Sequence, residues 1–469
     1  MTQAKTETIL AWEDDPGTPP SKVLPVMQPT PEFGLPPLRV GVAGPRPSQS
    51  GDQPGTVEFR YWTLAAALSG ASALWAPFMP EGVGWHSTVG DTLAAVPDAG
   101  DDLNAFYDRR HLNFFHHTVA GVTVYSGESS DVSKHECGHA VLDALRPQLW
   151  DAASAESAAL HEAFGDISAL LSALQMESLR VAVLTETQGD LARSSRVSRL
   201  ADQLAWAIRQ VAPTAVEPDC LRNAANNFFY RDPVTLPSRA PAAELASEPH
   251  SFARVFSGAF LRALAGIFRQ QQNRDPGGLA EAVVISARLL AAAVLAAPVV
   301  PGYFAQVAAH MVAADQELFG GEHGPALRSA FVATGILSTS GAVAVTPETV
   351  APHAAAMVGT VHDGDDTLTS ITIPGERYGL TEAFSVRAPA HTPRFAVTSA
   401  AADIGGVQPA GAEQAAAAFV EDLFRLGRVQ VPEEHLTAAA VAVDGPTTKT
   451  HTLTRSDAGG LALTRLCFL

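Results

Sequence analysis

Residues 131–143 read Asp-Val-Ser-Lys-His-Glu-Cys-Gly-His-Ala-Val-Leu-Asp and contain His135-Glu136-x-x-His139. The pattern carries chemistry on a helix, where side chains four residues apart share a face and both imidazoles reach one metal ion. Glu136, one residue beyond the first imidazole, is close enough to act as a general base toward water at that metal. Catalytic zinc takes three protein ligands and keeps a fourth position open. The motif therefore demands a third donor from elsewhere in the chain.

From residue 156 the sequence reads Glu-Ser-Ala-Ala-Leu-His-Glu-Ala-Phe-Gly-Asp-Ile. Glu162 follows His139 by 23 residues, enough for one helix to end, turn and return antiparallel. A zinc site of His135, His139 and Glu162, shared by two neighbouring helices, is the expectation; an ordinary exposed glutamate at 162 is the alternative. Asp166 lies one turn after Glu162, on the same face, where it can orient a ligand imidazole. Cys137 points off the ligand face and reads as a small packed residue.

The chain has 469 residues, room for two or three domains. Hydrophobic residues make up 46% and charged residues 17%, which fits a soluble globular protein. A net charge of -18 without a basic stripe argues against nucleic acid and anionic membranes as partners. Cys137, Cys220 and Cys467 are an odd, sparse set, unlike a disulfide framework. Residues 1–12 hold acids and no apolar stretch of the kind a secretory signal needs. The longest apolar run, 289–300, is interrupted by Pro298 and is too short to span a bilayer. These features point to a cytoplasmic protein, or one exported by a non-classical route; they leave the oligomeric state open.

Punctuation and periodicity divide the chain into a Pro-rich arm (1–55), an α/β lobe ending in the zinc-motif helix (56–145), a helical lobe (146–338) and a small α+β module (345–469). Alternation over 57–62 predicts a strand, with a helix over 64–74; β-like runs follow at 112–115 and 119–125. Asp131 or Ser133 is the expected cap of the zinc-motif helix, which Pro147 stops. Further helices are expected at 155–176, 191–212, 251–272, 278–297 and 303–319, mostly as core. In the last module, strands are expected at 367–373, 394–398 and 451–469 and a helix at 412–426. Its acidic stretch 362–366 lacks the spacing of a calcium loop and reads as a solvated turn.

The motifs resemble those of the thermolysin-like metallopeptidases, the gluzincins, over about residues 100–338. Asn104-Ala105-Phe106-Tyr107 is similar to the family's Asn-Ala-Phe-Trp edge strand, and Asp131-Val132 stands where the family has an acid–apolar pair. Leu221-Arg222, Asp232-Pro233 and His250 keep the family's spacing, and Ala330-Phe331-Val332-Ala333-Thr334-Gly335 resembles the end of its peptidase domain. The resemblance implies an α+β, two-lobed fold with a mixed β N-terminal lobe and a helical C-terminal lobe, to which the small module is appended. It implies a zinc-dependent metalloendopeptidase that hydrolyses peptide or protein substrates through a metal-activated water, preferring an apolar residue after the scissile bond. His135, His139 and Glu162 would bind Zn2+, Glu136 would be the base and His250 would stabilise the oxyanion. Asn104, Ala105 and Arg222 would hold the peptide backbone, and Leu221 and Val132 would line the pocket after the bond.

This chain departs from the family in three places. Trp150 stands near the family's second oxyanion donor, a tyrosine. Leu245 stands where an aspartate orients the catalytic histidine, with Glu248 or Glu244 as possible substitutes. Ala173 replaces an acid, leaving the family's calcium site incomplete. The alternative function is a zinc-binding peptide-recognition protein with weak or no turnover.

Overall fold

The computed structural model describes residues 7–19, 23–48, 53–346, 368–389, 410–437, 448–456 and 459–468. Its architecture is mixed α+β with several small sheets. The Pro-rich arm carries more structure than its composition predicts. Strands β1 (Thr8–Ala11) and β2 (Val26–Pro29) pair antiparallel, and β3 (Arg39–Val42) joins the main sheet.

Helix α1 (Val57–Trp75) replaces the strand expected at 57–62. The Thr56 hydroxyl caps it by accepting from the Phe59 N–H. Phe59, Tyr61, Trp62, Leu64 and Leu68 are all buried, so apolarity is not confined to one face and the alternation carries no strand signal. Strands β4 (Thr92–Val96), β5 (Ala105–Tyr107) and β6 (His111–Phe114) complete a four-stranded sheet in the order β3-β4-β6-β5. The first three strands in that order are parallel; β5 runs antiparallel to β6 and forms the edge. Strands β7 (His116–Val119) and β8 (Val122–Tyr125) make a hairpin.

Helix α2 (Ser130–Leu145) carries the His135-Glu136-x-x-His139 motif. Its cap is Ser129, one residue before the helix, whose hydroxyl accepts from the Val132 N–H at 3.2 Å. Asp131 instead accepts from the Ala201 N–H, and the Ser133 hydroxyl donates back to the Ser129 carbonyl. Ser129 also donates to Asp15 at 2.6 Å, and Asp15 accepts from the N–H groups of Gly17 and Gln203. A residue of the N-terminal arm thus fixes the start of the motif helix.

Helix α3 (Ala155–Ala173) packs against α2 and is followed by α4 (Glu177–Thr187). The helix expected over 191–212 is realised only in its second half, as α5 (Asp202–Val211) after the short strand β9 (Arg199–Leu200). In the first half the Ser198 hydroxyl accepts from the Ser195 N–H and donates to the Ser195 carbonyl, which competes with helix formation. Strand β10 (Arg222–Asn223) pairs with β9.

Helices α6 (Pro249–Gln270), α7 (Pro276–Ala296), α8 (Tyr303–Phe319), α9 (Gly324–Ala333) and α10 (Thr339–Ala344) complete the helical part. The apolar run 289–300 is mostly the end of α7. By length and composition α6 and α7 are each long and apolar enough to cross a membrane, and 89% of the relevant α6 window is buried inside the protein.

The C-terminal part contains β11 (Leu368–Ile373), β12 (Phe384–Pro389), α11 (Ala412–Arg425), β13 (Val429–Gln430), β14 (His451–Arg455) and β15 (Leu461–Arg465). Its sheet is ordered β11-β12-β15-β14-β13. Residues 451–465 form a hairpin rather than one strand, because the chain turns at Gly459, where φ is +87°. The expected strand 394–398 and the acidic stretch 362–366 lie outside the described residues. Phe384, Phe419, Val420 and Phe468 belong to the same hydrophobic core as Val141 and Phe164 of α2 and α3. The Ala153 N–H donates to the Arg387 carbonyl across the junction.

Candidate metal centre

Two glycines allow the helices to build a site. A Cβ at Gly165 on α3 would stand 2.6 Å from the His135 ring. A Cβ at Gly138 on α2 would stand 2.7 Å from Ser168 Oγ and 2.9 Å from the Gly165 Cα. Glycine inside a helix costs about 1 kcal/mol relative to alanine, so a facing pair signals close backbone approach. That signal lay in the sequence, within His-Glu-Cys-Gly-His and Glu-Ala-Phe-Gly-Asp, and reading for ligand types alone misses it.

The approach brings donors together. His135, Glu136 and His139 are buried, and their ligand atoms all lie within 4.8 Å of one another, a group able to hold a metal ion. From α3, Glu162 Oε2 lies 3.4 Å from His135 Nε2 and Oε1 lies 3.8 Å from His139 Nε2. Among the described residues His139 Nε2, Glu136 Oε2 and Glu162 Oε2 are buried without a hydrogen-bond partner. Unpaired buried polar atoms are costly; several converging on one point fit the donor set of a cation site. His250 Nε2 lies 3.1 Å from Glu162 Oε2, a charge contact without hydrogen-bond geometry.

The outer side of each ring is also held. His135 Nδ1 lies 3.0 Å from Asp166, which leaves Nε2 facing the donors. Asp166 in turn takes a two-pronged contact from Arg222, at 2.7 Å from Nη2 and 3.0–3.1 Å from Nε. His139 Nδ1 lies 3.4 Å from the ring nitrogen of His161, a buried residue whose side-chain role the motif did not announce. Glu248, rather than Glu244, holds His250, through Nδ1 at 2.6 Å. Leu245 packs on the core, whereas the Glu244 carbonyl accepts from Arg254.

Charge sorts the two glutamates. Burial raises the Glu136 carboxyl, Glu162 adds to the rise, and the group is pushed up to about 8 against the opposing charge of His135. Glu162 is equally buried, yet the surrounding imidazoles, the charge of His250 first among them, bring it down to about 2. Burial drives His139 well below the usual histidine range, whereas His135, although buried, is pushed up to about 9 by Asp166 and Glu162, holding a proton that a bound metal would displace. Burial also pushes the Cys137 thiol up to about 12, which makes it the inert packed residue the sequence predicts.

The remaining expected site residues fall on one flank. Asn104, Ala105, Val132, Leu221, Arg222 and His250 all line a cavity of about 570 Å3 that reaches His135 and Glu136. Leu204, Ile208 and Val216 extend its apolar wall. The Asn104 side chain is already engaged: its carbonyl accepts from the Ala105 N–H, and its amide donates to Thr448 at 3.0 Å. Trp150 is buried and meets Tyr107 and Phe468 edge-on, with the Arg109 guanidinium 4.5 Å above its ring. Ala173 is buried and offers no ligand oxygen from its side chain. Compared with known proteins, the chain matches no family model and no curated protein.

Proposed function

We propose that the protein is a zinc-dependent endopeptidase related to the thermolysin-like metallopeptidases, with the two-lobed arrangement of that family over residues 56–338. The observation that carries the reading is the convergence of His135 and His139 from α2 with Glu162 from α3, where His139 Nε2 and Glu162 Oε2 are buried and short of partners. His135, His139 and Glu162 would hold the ion. Glu162 is the better placed anionic ligand because its two oxygens face both imidazoles, whereas Glu136, one residue beyond His135, is placed to act as the base. Zinc bound there would supply Lewis acidity, lowering the pKa of water and polarising a carbonyl oxygen.

The other steps belong to side chains. Glu136 takes the proton of the attacking water and returns it to the leaving amine. His250, steadied by Glu248, donates from Nε2 to the developing oxyanion. Arg222, braced by Asp166, donates to the carbonyl after the scissile bond, and Val132 and Leu221 receive an apolar side chain there. Asn104 and Ala105 at the β5 edge hold an extended backbone by main-chain bonding, which is indifferent to side-chain identity.

The test is cleavage of an unstructured peptide by the zinc-loaded protein and by its Glu136→Gln variant. Chelator-sensitive cleavage is expected, with a loss of at least roughly a thousandfold in the variant at unchanged zinc content. Stoichiometric zinc without chelator-sensitive cleavage would overturn the reading. One observation favours a second reading, a zinc-binding peptide-recognition protein without turnover: Trp150 is packed among Tyr107, Arg109 and Phe468, and no second oxyanion donor is evident there. Under that reading Glu136→Gln leaves peptide affinity and zinc content alike unchanged, and wild-type turnover is nil.

A further inference from the structure

Beyond β15 the chain leaves its own sheet and crosses to β5. The Tyr107 N–H donates to the Phe468 carbonyl and the Phe468 N–H donates to the Tyr107 carbonyl, both at 3.0 Å, an antiparallel bridge on the free edge of the four-stranded sheet. The Phe468 ring lies flat on His161, 3.8 Å between centroids at 16°, and on His139 at 5.2 Å and 22°. The Arg465 guanidinium covers the same ring at 4.0 Å, while Arg465 Nε donates to the Trp150 carbonyl. Phe468 is 2% exposed. Between this tail and the metal-side residues remains a void of about 40 Å3, bordered by Glu162, His250, Cys467 and Phe468.

Each component is a peptide-recognition device. An edge strand binds any extended backbone, and a flat slot of imidazoles roofed by a guanidinium selects an aromatic ring. We propose that residues 466–468 are a resident ligand of a peptide subsite built by the Tyr107 backbone, His139, His161 and Arg465, that the subsite accepts an extended segment with an aromatic side chain, and that a peptide enters this flank of the metal centre by displacing the tail. That such a peptide is cleaved rests on the peptidase reading; that it binds does not. The C-terminal sheet is then the device that presents the tail. Because the tail is tethered, its effective concentration is on the order of millimolar, so a free peptide of modest affinity competes poorly with it.

The experiment uses the full-length chain carrying Glu136→Gln, so that nothing is cleaved, with and without Phe468→Ala. Two quantities are read: amide hydrogen exchange at Tyr107, and the anisotropy of a labelled peptide copying residues 461–468. The Phe468→Ala chain is expected to exchange at Tyr107 at least roughly tenfold faster and to bind the peptide at least roughly tenfold more tightly than the parent. Adding the peptide should restore protection, and the same peptide with alanine in place of its phenylalanine should not. Phe468→Leu keeps an apolar side chain in the seat and is read the same way if Phe468→Ala does not fold. Unchanged exchange at Tyr107, or faster exchange with no gain in peptide binding, overturns the proposal. Neither readout needs turnover. Absent hydrolysis with an open, peptide-binding Tyr107 edge therefore sinks the peptidase reading alone.

Discussion

The two flanks of the His135–Glu136–His139 group are built alike and filled differently. One opens on a cavity of about 570 Å3 walled by Val132, Leu204, Leu221 and Arg222. The other retains only about 40 Å3, because Phe468 and Cys467 occupy it. Both flanks border β5, at Ala105 on the open side and at Tyr107 on the filled side. The difference teaches that one strand edge serves two kinds of contact: a side-chain pocket on one flank and strand pairing with the chain's own tail on the other. Under the proposed function, recognition after the scissile bond rests on preformed structure, and recognition on the Phe468 flank waits on a displacement.

The largest perturbation removes what the flanks share. Glu162→Gln keeps shape but gives up the anionic donor facing both imidazoles, and zinc affinity is expected to fall on the order of a hundredfold or more. Competition titration against a chromophoric chelator measures it. Affinity within threefold of wild type would transfer the ligand role to Glu136. Gly165→Ala follows in size. Its new methyl needs the space of the His135 ring, so zinc affinity should fall roughly 10- to 100-fold through ligand misplacement, with a smaller loss of Tm than a cavity mutation in α6 produces. Neither change removes a hydrogen bond of the tail, so exchange at Tyr107 should stay slow in both, and faster exchange would show that the flanks are coupled through the metal centre.

Arg222→Lys acts on the open flank alone. Lysine keeps the charge but loses the two-pronged contact with Asp166. A fall in kcat/KM of about tenfold to a hundredfold is expected, with zinc content and tail protection unchanged. If zinc affinity falls instead, Arg222 acts on the metal through Asp166 and His135 rather than on the peptide.

The same contrast explains what the sequence discloses. The open flank is legible because its residues come in short motifs with fixed local spacing: His135 to His139 within one turn of helix, Glu162 and Asp166 on the next helix, Leu221 beside Arg222. Helix periodicity converts such spacing into geometry. The filled flank depends on contacts between residues far apart in the chain, as in Arg465 with Trp150, 315 residues apart, and in Tyr107 with Phe468. No periodicity links those positions, and a phenylalanine near the end of a strand-like run looks like any core residue. The failures in the fold have similar causes. Residues 57–62 alternate by accident within a helix buried on most sides, and 191–198 break from helix because the Ser198 hydroxyl satisfies both backbone groups of Ser195 locally. Glu248 in place of Leu245 was legible only as one of two candidates, since choosing it over Glu244 requires knowing where α6 begins.

The smallest predicted effect probes specificity on the open flank. Val132 sits on the first turn of α2, 6% exposed, and faces the cavity beside His135. Val132→Phe adds a ring to the pocket wall, and the remaining space is bounded by Leu204, Ile208 and Leu221, whose helix and loop have few ways to retreat from a cavity already lined by packed side chains. The enlarged side chain should therefore compete with a large apolar residue after the scissile bond more than with a small one. A difference of one or two methylenes in such a pocket is worth about 1–3 kcal/mol, roughly 10- to 200-fold in selectivity. Partial relaxation brings the expectation to the low end, about a tenfold fall in the ratio of kcat/KM for leucine over alanine at that position. Because Val132 bears on neither Asp166 nor Phe468, zinc affinity and exchange at Tyr107 should hold at their wild-type values. An unchanged ratio would place the selecting contact elsewhere along the cavity, toward Val216 and Ile208, and would shift the boundary between the flanks away from the start of α2.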